Sequence, residues 1–419
     1  MLLPDPLPIR PFTHPVRGEV TLPGSKSITN RALILGALGS KTIALTGALF
    51  SRDTRIMITA LQTLGFDVSA NERALTITIT GRDGEIPERE ARLDVGNAGT
   101  AARFLTAFVC LRPDGIYHFD GDEAMRRRPI GPLLDALANQ GAKASSRNFP
   151  FTLRTSGLSG DMVEIDASES SQLLSALLLV APHARPPLNV KLKGTTVSEP
   201  FIAMTREMLR QFASQPLSYA IEGDASAASY FLALPLVTGG QIRLPGYRTA
   251  NSLQGDVGFA AVLAPIGLNS PAAQSEWTAT NAPHRGVTAD FNAFSDTFLT
   301  LAAIAPLLDG PTRITGIAHT RRQETDRIAG MARELTKLGQ HVVETEDSLT
   351  ITPRPLKAGV VIETYHDHRF AMSFAILGCH NLQGDGRSWL SIKDPACCTK
   401  TFPDFFEVLE SLRQKSLAA

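Results

Sequence analysis

Cysteine is scarce in this chain: Cys110, Cys379, Cys397 and Cys398 are the only four among 419 residues. None forms a CxxC pair or stands at finger spacing from histidine, which excludes a disulfide framework and a structural zinc site. Aromatic residues make up only 6%, too few for the basic strips with interleaved stacking rings that hold single-stranded nucleic acid. Charge of either sign is not in excess, because Lys+Arg and Asp+Glu both count 41 and the formal net charge is zero. A surface built mainly for nucleic acid or an anionic membrane is therefore not expected, although a local basic pocket is compatible with this balance. No run of about 18 apolar residues is present to span a bilayer. The N-terminal MLLPDPLPIRPF places Pro and Asp where a signal peptide needs an apolar stretch. The expectation is a soluble, cytoplasmic protein, and an enzyme. The segment LPGSKS lacks the glycines of a nucleoside-triphosphate loop: Ser25 precedes Lys26 where that loop needs Gly, and Val20 stands where the earlier Gly belongs.

What is present is apolar and repetitive. Apolar residues reach 43% and charged residues 20%, a globular balance over a length that suggests two or three domains. Six segments share one design, a small polar cluster able to cap a helix followed by an apolar helical run. They begin near Ser25, Gly96, Glu169, Asp224, Phe294 and Tyr365, roughly 55 to 75 residues apart. More amphipathic second helices lie between them, as in ITALQTLGFDVSA, LLDALANQGAKAS and MARELTKLGQHVVE, with Gly65, Gly141 and Gly339 where a helix C-cap requires positive φ. Alternating stretches such as ALTITIT and SLTITP supply strands. The unit reads as two helices and about four strands used six times, the apolar helices buried and the sheets outside. By pattern alone, the general recurrence of α/β proteins accounts for this equally well.

The polar clusters hold the chemistry. A helix N-terminus presents unpaired N–H groups and a positive dipole end, which suits an anion. These starts bear Lys26, Ser27, Arg31, Ser170, Ser171, Gln172, His368 and Arg369, while loops add Arg126, Arg127, Arg128, Arg321, Arg322, Arg327 and Lys400. Each alone reads as a solvated charge. Together, at equivalent places of a repeat in a neutral chain, they predict a pocket for a small, multiply anionic molecule. Two acids stand beside them. Asp296 opens the fifth apolar run, where a cap is as good a reading as a catalytic group. Glu324 in RRQETDR has cations on both sides to set its proton affinity. His366 and His368 are two residues apart, a poor spacing for a helical metal site, so no metal is expected.

The ordered motifs LPGSKSITNRAL (22–33), GNAGTAARFL (96–105), RRRPIGPLLDAL (126–137), SSQLLSALL (170–178), EGDASAASYF (222–231), QETDRIAGM (323–331), DHRFAMSFA (367–375) and KTFPDFFE (400–407) cover essentially the whole chain. In them the sequence resembles the 5-enolpyruvylshikimate-3-phosphate synthase family of enolpyruvyl transferases. The resemblance implies an α/β fold of two similar domains, each of three βαβαββ units with buried helices and outer sheets, an inverse α/β barrel-like arrangement with the substrate cleft between domains that close on it. Carried over, one domain is 24–222 and the other joins 1–23 to 223–419. It implies transfer of the enolpyruvyl group of phosphoenolpyruvate to the 5-hydroxyl of shikimate 3-phosphate by addition and elimination, without cofactor or metal, in a monomer.

By the same resemblance Lys26, Asn97, Gly99, Arg128, Gln172, Arg327, Arg369 and Lys400 hold phosphoenolpyruvate. Lys26, Ser27, Arg31, Ser170, Ser171, Gln172, Ser198, Asp296 and Gln323 hold shikimate 3-phosphate. The implied catalytic set is Asp296 and Glu324 as the acid–base pair, with Lys26, His368 and Lys400 as further candidates. Gly99 matches a position lying against phosphoenolpyruvate and the inhibitor glyphosate, so glyphosate sensitivity is expected. The chain departs from the family at Gln323, usually Lys; at Phe201, usually Tyr; at His319, commonly Asn; and at Phe104, Pro in many members. These departures bear on the acceptor. Rival readings are a UDP-N-acetylglucosamine enolpyruvyl transferase, an enolpyruvyl transferase for another acidic alcohol, an RNA 3′-phosphate cyclase-like protein and a catalytically dead binding protein. The loop Cys of the first is not matched by Cys110, which sits in an apolar run. Neutral charge opposes the nucleic-acid reading, and the retained Lys26, Glu324, Arg327, Arg369 and Lys400 oppose the last.

Overall fold

The computed structural model describes residues 3–270, 276–279 and 284–418. The chain divides into two compact units, Gly24–Glu222 and the pair Met1–Pro23 with Gly223–Ala419. The six apolar runs form helices Lys26–Leu38, Gly99–Phe108, Ser171–Val180, Ala225–Thr238, Phe298–Ile304 and His368–Gly378. Every residue of Gly99–Phe108, Phe298–Ile304 and His368–Gly378 is buried. Helices apolar on all sides cannot lie at a surface, so the first three pack on one another in one unit and the last three in the other.

Four of the six helices begin as the polar clusters predict. Ser25, Ser170, Asp224 and Asp367 are N-caps whose side chains accept from Ile28 N, Gln172 N, Ala227 N and Arg369 N. The second and fifth begin at Ala98 and Thr297 with no side-chain cap bond. The amphipathic second helices run over Arg52–Thr63, Gly131–Ala138 and Arg327–Lys337. After them Gly65, Gly141 and Gly339 take φ of +86°, +94° and +90°, the left-handed stop that only glycine adopts freely.

The sheets distinguish true repetition from generic α/β recurrence. Four four-stranded sheets share one pattern, a parallel pair extended by two antiparallel pairings. In the first, Ser218–Ala220 lies parallel to Thr42–Thr46, which pairs antiparallel with Thr76–Thr80 and then Val68–Asn71. Glu90–Asp94, Ile116–Asp120, Phe151–Arg154 and Lys143–Ala144 repeat it. So do Thr288–Asp290, Thr312–Thr315, Leu349–Thr352 and His341–Glu344, and Val16–Glu19, Gly240–Arg243, Glu276–Ala279 and Leu268–Asn269. The other two are shorter, with Met162–Ile165 beside Asn189–Leu192 and a three-stranded sheet centred on Leu390–Ile392. Buried positions alternate along Thr76–Thr80 and Ile116–Asp120, so one face of each sheet covers helices and the other meets water.

Candidate active site

In the unit Gly24–Glu222 the first buried helix supplies Lys26 and Arg31. Lys26 Nζ lies 3.4 Å from the buried carboxylate of Asp53, a partner the sequence reading missed because Asp53 reads as an ordinary acid in the first turn of a helix. Arg31 is fully buried. Its Nε donates to Thr205 Oγ1 at 2.8 Å, Nη1 to the Ser27 carbonyl at 3.0 Å, and Nη2 to Ser175 Oγ and the Phe201 carbonyl at 3.3 and 3.2 Å. The Phe104 and Phe201 rings stand 5.1 and 5.9 Å from the guanidinium. All these partners are neutral, and burial lowers the Arg31 pKa to about 9, so it remains charged at neutral pH. A buried cation held only by neutral groups favours an incoming anion.

The same unit delivers Arg128 to the start of the second buried helix. Arg128 Nη1 donates to Asn97 Oδ1 at 3.2 Å and to the Asn97 carbonyl at 3.5 Å. Gly99 lies directly beneath it: a Cβ there would stand 2.6 Å from Arg128 Nη2 and 2.9 Å from Cζ. Arg103, four residues into the helix, donates to the Gly99 carbonyl at 3.3 Å and also to the Pro129 carbonyl, pinning the loop after Arg128. Sequence reasoning passed over Arg103 as one residue inside an apolar run. Arg126 and Arg127 do not join this group, being exposed and paired with Asp120 and Glu123. Ser170 caps the third buried helix with Oγ accepting from Gln172 N at 3.3 Å, and Ser171 is buried in its first turn. Ser198 is buried and left-handed at φ +53°, where it begins the helix Glu199–Phe212.

The other unit gathers three cations and three carboxylates. Arg327 is 1% exposed and donates from Nε to Asp367 Oδ2 at 2.8 Å, from Nη1 to Asp296 Oδ1 at 3.0 Å and from Nη2 to Glu324 Oε2 at 2.9 Å. Its Nη1 also donates to Gln323 Oε1. Arg369 Nη2 donates to Asp296 Oδ2 at 2.6 Å, and Lys400 Nζ sits 3.1 Å from Glu324 Oε1. Burial alone would lower the Arg327 pKa, yet Asp367, Glu324 and Asp296 outweigh it and leave the pKa raised. Arg369 follows the same balance, with Asp296 the strongest opposing charge. Asp296 is not a cap. It lies in the 3-10 turn Asn292–Thr297 and bridges two guanidiniums.

Asp367, which the sequence reading did not single out, is fully buried and serves as cap, partner of Arg327 and neighbour of His368, whose Nδ1 is 3.4 Å away. Its one legible signal was its place just before an apolar helix. Arg321, two residues before Gln323, donates to both Asp326 oxygens and to the carbonyls of Thr345 and Glu346. His319 shares a 2.8 Å hydrogen bond between Nε2 and Ser295 Oγ, and burial lowers its pKa.

Among the described residues no group of three or more His, Cys, Asp or Glu is arranged to hold a metal ion. His366 turns to Asp394 at 2.6 Å, away from the buried His368. Cys110 is buried, donates to the Thr106 carbonyl and has its thiol pKa pushed up by burial, which makes it a structural group. No described helix is long and apolar enough to cross a membrane.

These arrangements set carboxylates against cations in one unit and leave a buried guanidinium among neutral groups in the other. The family model described as EPSP synthase (3-phosphoshikimate 1-carboxyvinyltransferase) matches residues 12–215 and 213–409. A 3-phosphoshikimate 1-carboxyvinyltransferase of Opitutus terrae is 54% identical over 444 residues, covering 100% of both chains. One from Trichormus variabilis is 38% identical over 96% of this chain and 98% of its own. Among solved structures, an EPSP synthase from Acinetobacter baumannii superposes with TM-score 0.74 at 24% identity over 97% of each chain. The enolpyruvyl transferase NikO from Streptomyces tendae follows at TM-score 0.70 and 17% identity over 96% of each chain. The two structures establish the fold, and the relatives and the matched model establish the rest: the chain belongs to the EPSP synthase (3-phosphoshikimate 1-carboxyvinyltransferase) family.

Proposed function

We infer that the chain transfers the enolpyruvyl group of phosphoenolpyruvate to the 5-hydroxyl of shikimate 3-phosphate, releasing phosphate. The observation that carries this reading is the pairing of its two candidate acids with its cations. Glu324 is bridged by Arg327 and Lys400, and Asp296 by Arg327 and Arg369. An anionic substrate that takes these donors frees both carboxylates and raises their basicity at the moment a proton must move.

In this reading Lys26, Asn97, Gly99, Arg128, Gln172, Arg327, Arg369 and Lys400 are the residues that bind phosphoenolpyruvate. Shikimate 3-phosphate is held by Lys26, Ser27, Arg31, Ser170, Ser171, Gln172 and Ser198, with Asp296 and Gln323. Arg31, whose protein partners are all neutral, suits the carboxylate, because no protein acid already meets its charge. Glu324 delivers a proton to the methylene carbon, giving C2 positive character. Asp296 takes the proton of the 5-hydroxyl as its oxygen bonds to C2. The tetrahedral adduct then loses phosphate, which leaves with the proton taken up by Asp296, as a methyl proton returns to Glu324, with Lys26, His368 and Lys400 stabilising charge or relaying protons. The protein acts as a monomer in the cytoplasm.

Phosphate release from phosphoenolpyruvate tests this directly. Release is expected with shikimate 3-phosphate and absent both without it and with UDP-N-acetylglucosamine in its place. Release with the nucleotide sugar alone would move the chain to the rival acceptor.

A further inference from the structure

Immediately before Asp367 the backbone does something costly. Tyr365 and His366 are consecutive non-glycine residues with φ of +55° and +56°, a conformation that side chains with a Cβ adopt rarely and almost never in succession. Such a turn persists only where its surroundings over-determine it. One face of the helix Arg327–Lys337 does so. Glu334, two turns beyond Arg327 and fully buried, accepts from Tyr365 Oη at 2.6 Å and from the Glu363 backbone N–H at 3.1 Å. Lys337 Nζ, 2.6 Å away, balances its charge.

Between Glu334 and Arg327 lies Gly330, where a Cβ would come within 2.6 Å of the Phe370 ring and 3.3 Å of the Tyr365 ring. The two rings meet edge to face at 5.4 Å, and the Arg333 guanidinium covers Tyr365 at 5.1 Å. On the far side His366 Nδ1 is 2.6 Å from Asp394 Oδ2. The helix face Glu334–Gly330–Arg327 thus touches the segment 363–370 at three successive points, the last being the bond from Arg327 to Asp367.

We propose that Glu334 and Tyr365 are positioning residues for the phosphoenolpyruvate half of the reaction. Their hydrogen bond holds the left-handed turn that sets Asp367 against Arg327 and aims Arg369 at Asp296. Neither residue touches substrate; both act through the two guanidiniums. The inference rests on the assignment of Arg327 and Arg369 to phosphoenolpyruvate.

The test compares Tyr365→Phe, Glu334→Gln and Arg369→Lys by steady-state kinetics in both substrates, with thermal melting alongside. Tyr365→Phe keeps the ring between Phe370 and Arg333 and loses only the hydroxyl, so folding is preserved. It is expected to raise KM for phosphoenolpyruvate about tenfold and leave KM for shikimate 3-phosphate within twofold. Glu334→Gln retains an oxygen to accept from Tyr365 and is expected to show a clearly smaller rise. An unchanged KM for phosphoenolpyruvate in Tyr365→Phe, with a raised one in Arg369→Lys, overturns the positioning role. An equal loss for both substrates overturns it as well, since that marks general destabilisation. If Arg369→Lys itself leaves KM for phosphoenolpyruvate unchanged, the substrate assignment fails and takes the proposal with it.

Discussion

Gln323 shows how a single residue differs from its reading in isolation. Taken from the sequence, it is a missing cation. In the structure it is an acceptor, its carboxamide oxygen receiving Arg327 Nη1 beside Asp296 and Glu324. Lysine has three donors and no acceptor, so Gln323→Lys removes that contact and adds a positive charge to a balanced set of three cations and three carboxylates. The expected outcome is a KM for shikimate 3-phosphate about tenfold lower, as for one added charge-assisted contact to phosphate. KM for phosphoenolpyruvate should move less than threefold. Steady-state titration of each substrate checks this, and an unchanged acceptor KM would place residue 323 away from the acceptor. Asp296 changed meaning in the opposite direction, from a cap to a bridge between Arg327 and Arg369. Its partners lie 31 and 73 residues away in the chain, so no local pattern could separate the two readings.

Among the elements, the helices were the most legible, and four of their six starts with them. Continuous apolar runs force burial on every side, which is why all six buried helices lie where the runs predict. Ser25, Ser170 and Asp224 cap because their short side chains reach the free N–H groups of the first turn, a contact within three residues. At Gly99 the local signal ends. The residue opens a helix, yet what requires glycine there is Arg128, brought from 29 residues further on to within 2.6 Å of where a Cβ would be. Gly99→Ala must therefore displace the guanidinium. KM for phosphoenolpyruvate is expected to rise about tenfold while thermal stability changes little. Inhibition by glyphosate should weaken in parallel, as competition assays with the variant would show. Retained affinity for phosphoenolpyruvate would mean that Arg128 can swing aside without loss.

For the whole molecule, buried titratable groups make stability depend on pH with opposing signs. His183, His319 and His380 all have pKa values lowered chiefly by burial. Their contribution is complete above the unfolded histidine pKa of about 6.5 and is lost as pH falls below it. Asp256 opposes them. Burial first, then Asp296, raises its pKa to about 7, so its contribution is present at low pH and lost as pH rises through about 7. Between about pH 4 and 7 the two effects oppose each other, Asp256 lowering stability as pH rises and the histidines raising it, and above about pH 7 neither changes stability further. Asp256→Asn, which keeps an oxygen for the 3.0 Å bond from Ser226 Oγ, is expected to raise the melting temperature at pH 8 and to have a much smaller effect at pH 5. Melting curves across that range decide it, and an equal shift at both pH values would show that Asp256 is already ionised in the folded protein at pH 5 and that its pKa is not raised.

The sequence by itself determined the helical elements, because burial of an apolar helix, capping of its first turn and the glycine stop after it are settled by residues within a few positions of one another, whereas their true repetition showed only in the pairing of the sheets. It also determined the family, through motifs spread along the whole chain. Only the tertiary structure decided which charges meet. Arg327 joins Asp296, Glu324 and Asp367, Arg31 is left with neutral partners, Arg321 is spent on Asp326, and Glu334 holds Tyr365. Coulomb energy and hydrogen bonding depend on distance through space and on burial, and the fold alone fixes both for residues far apart in the chain.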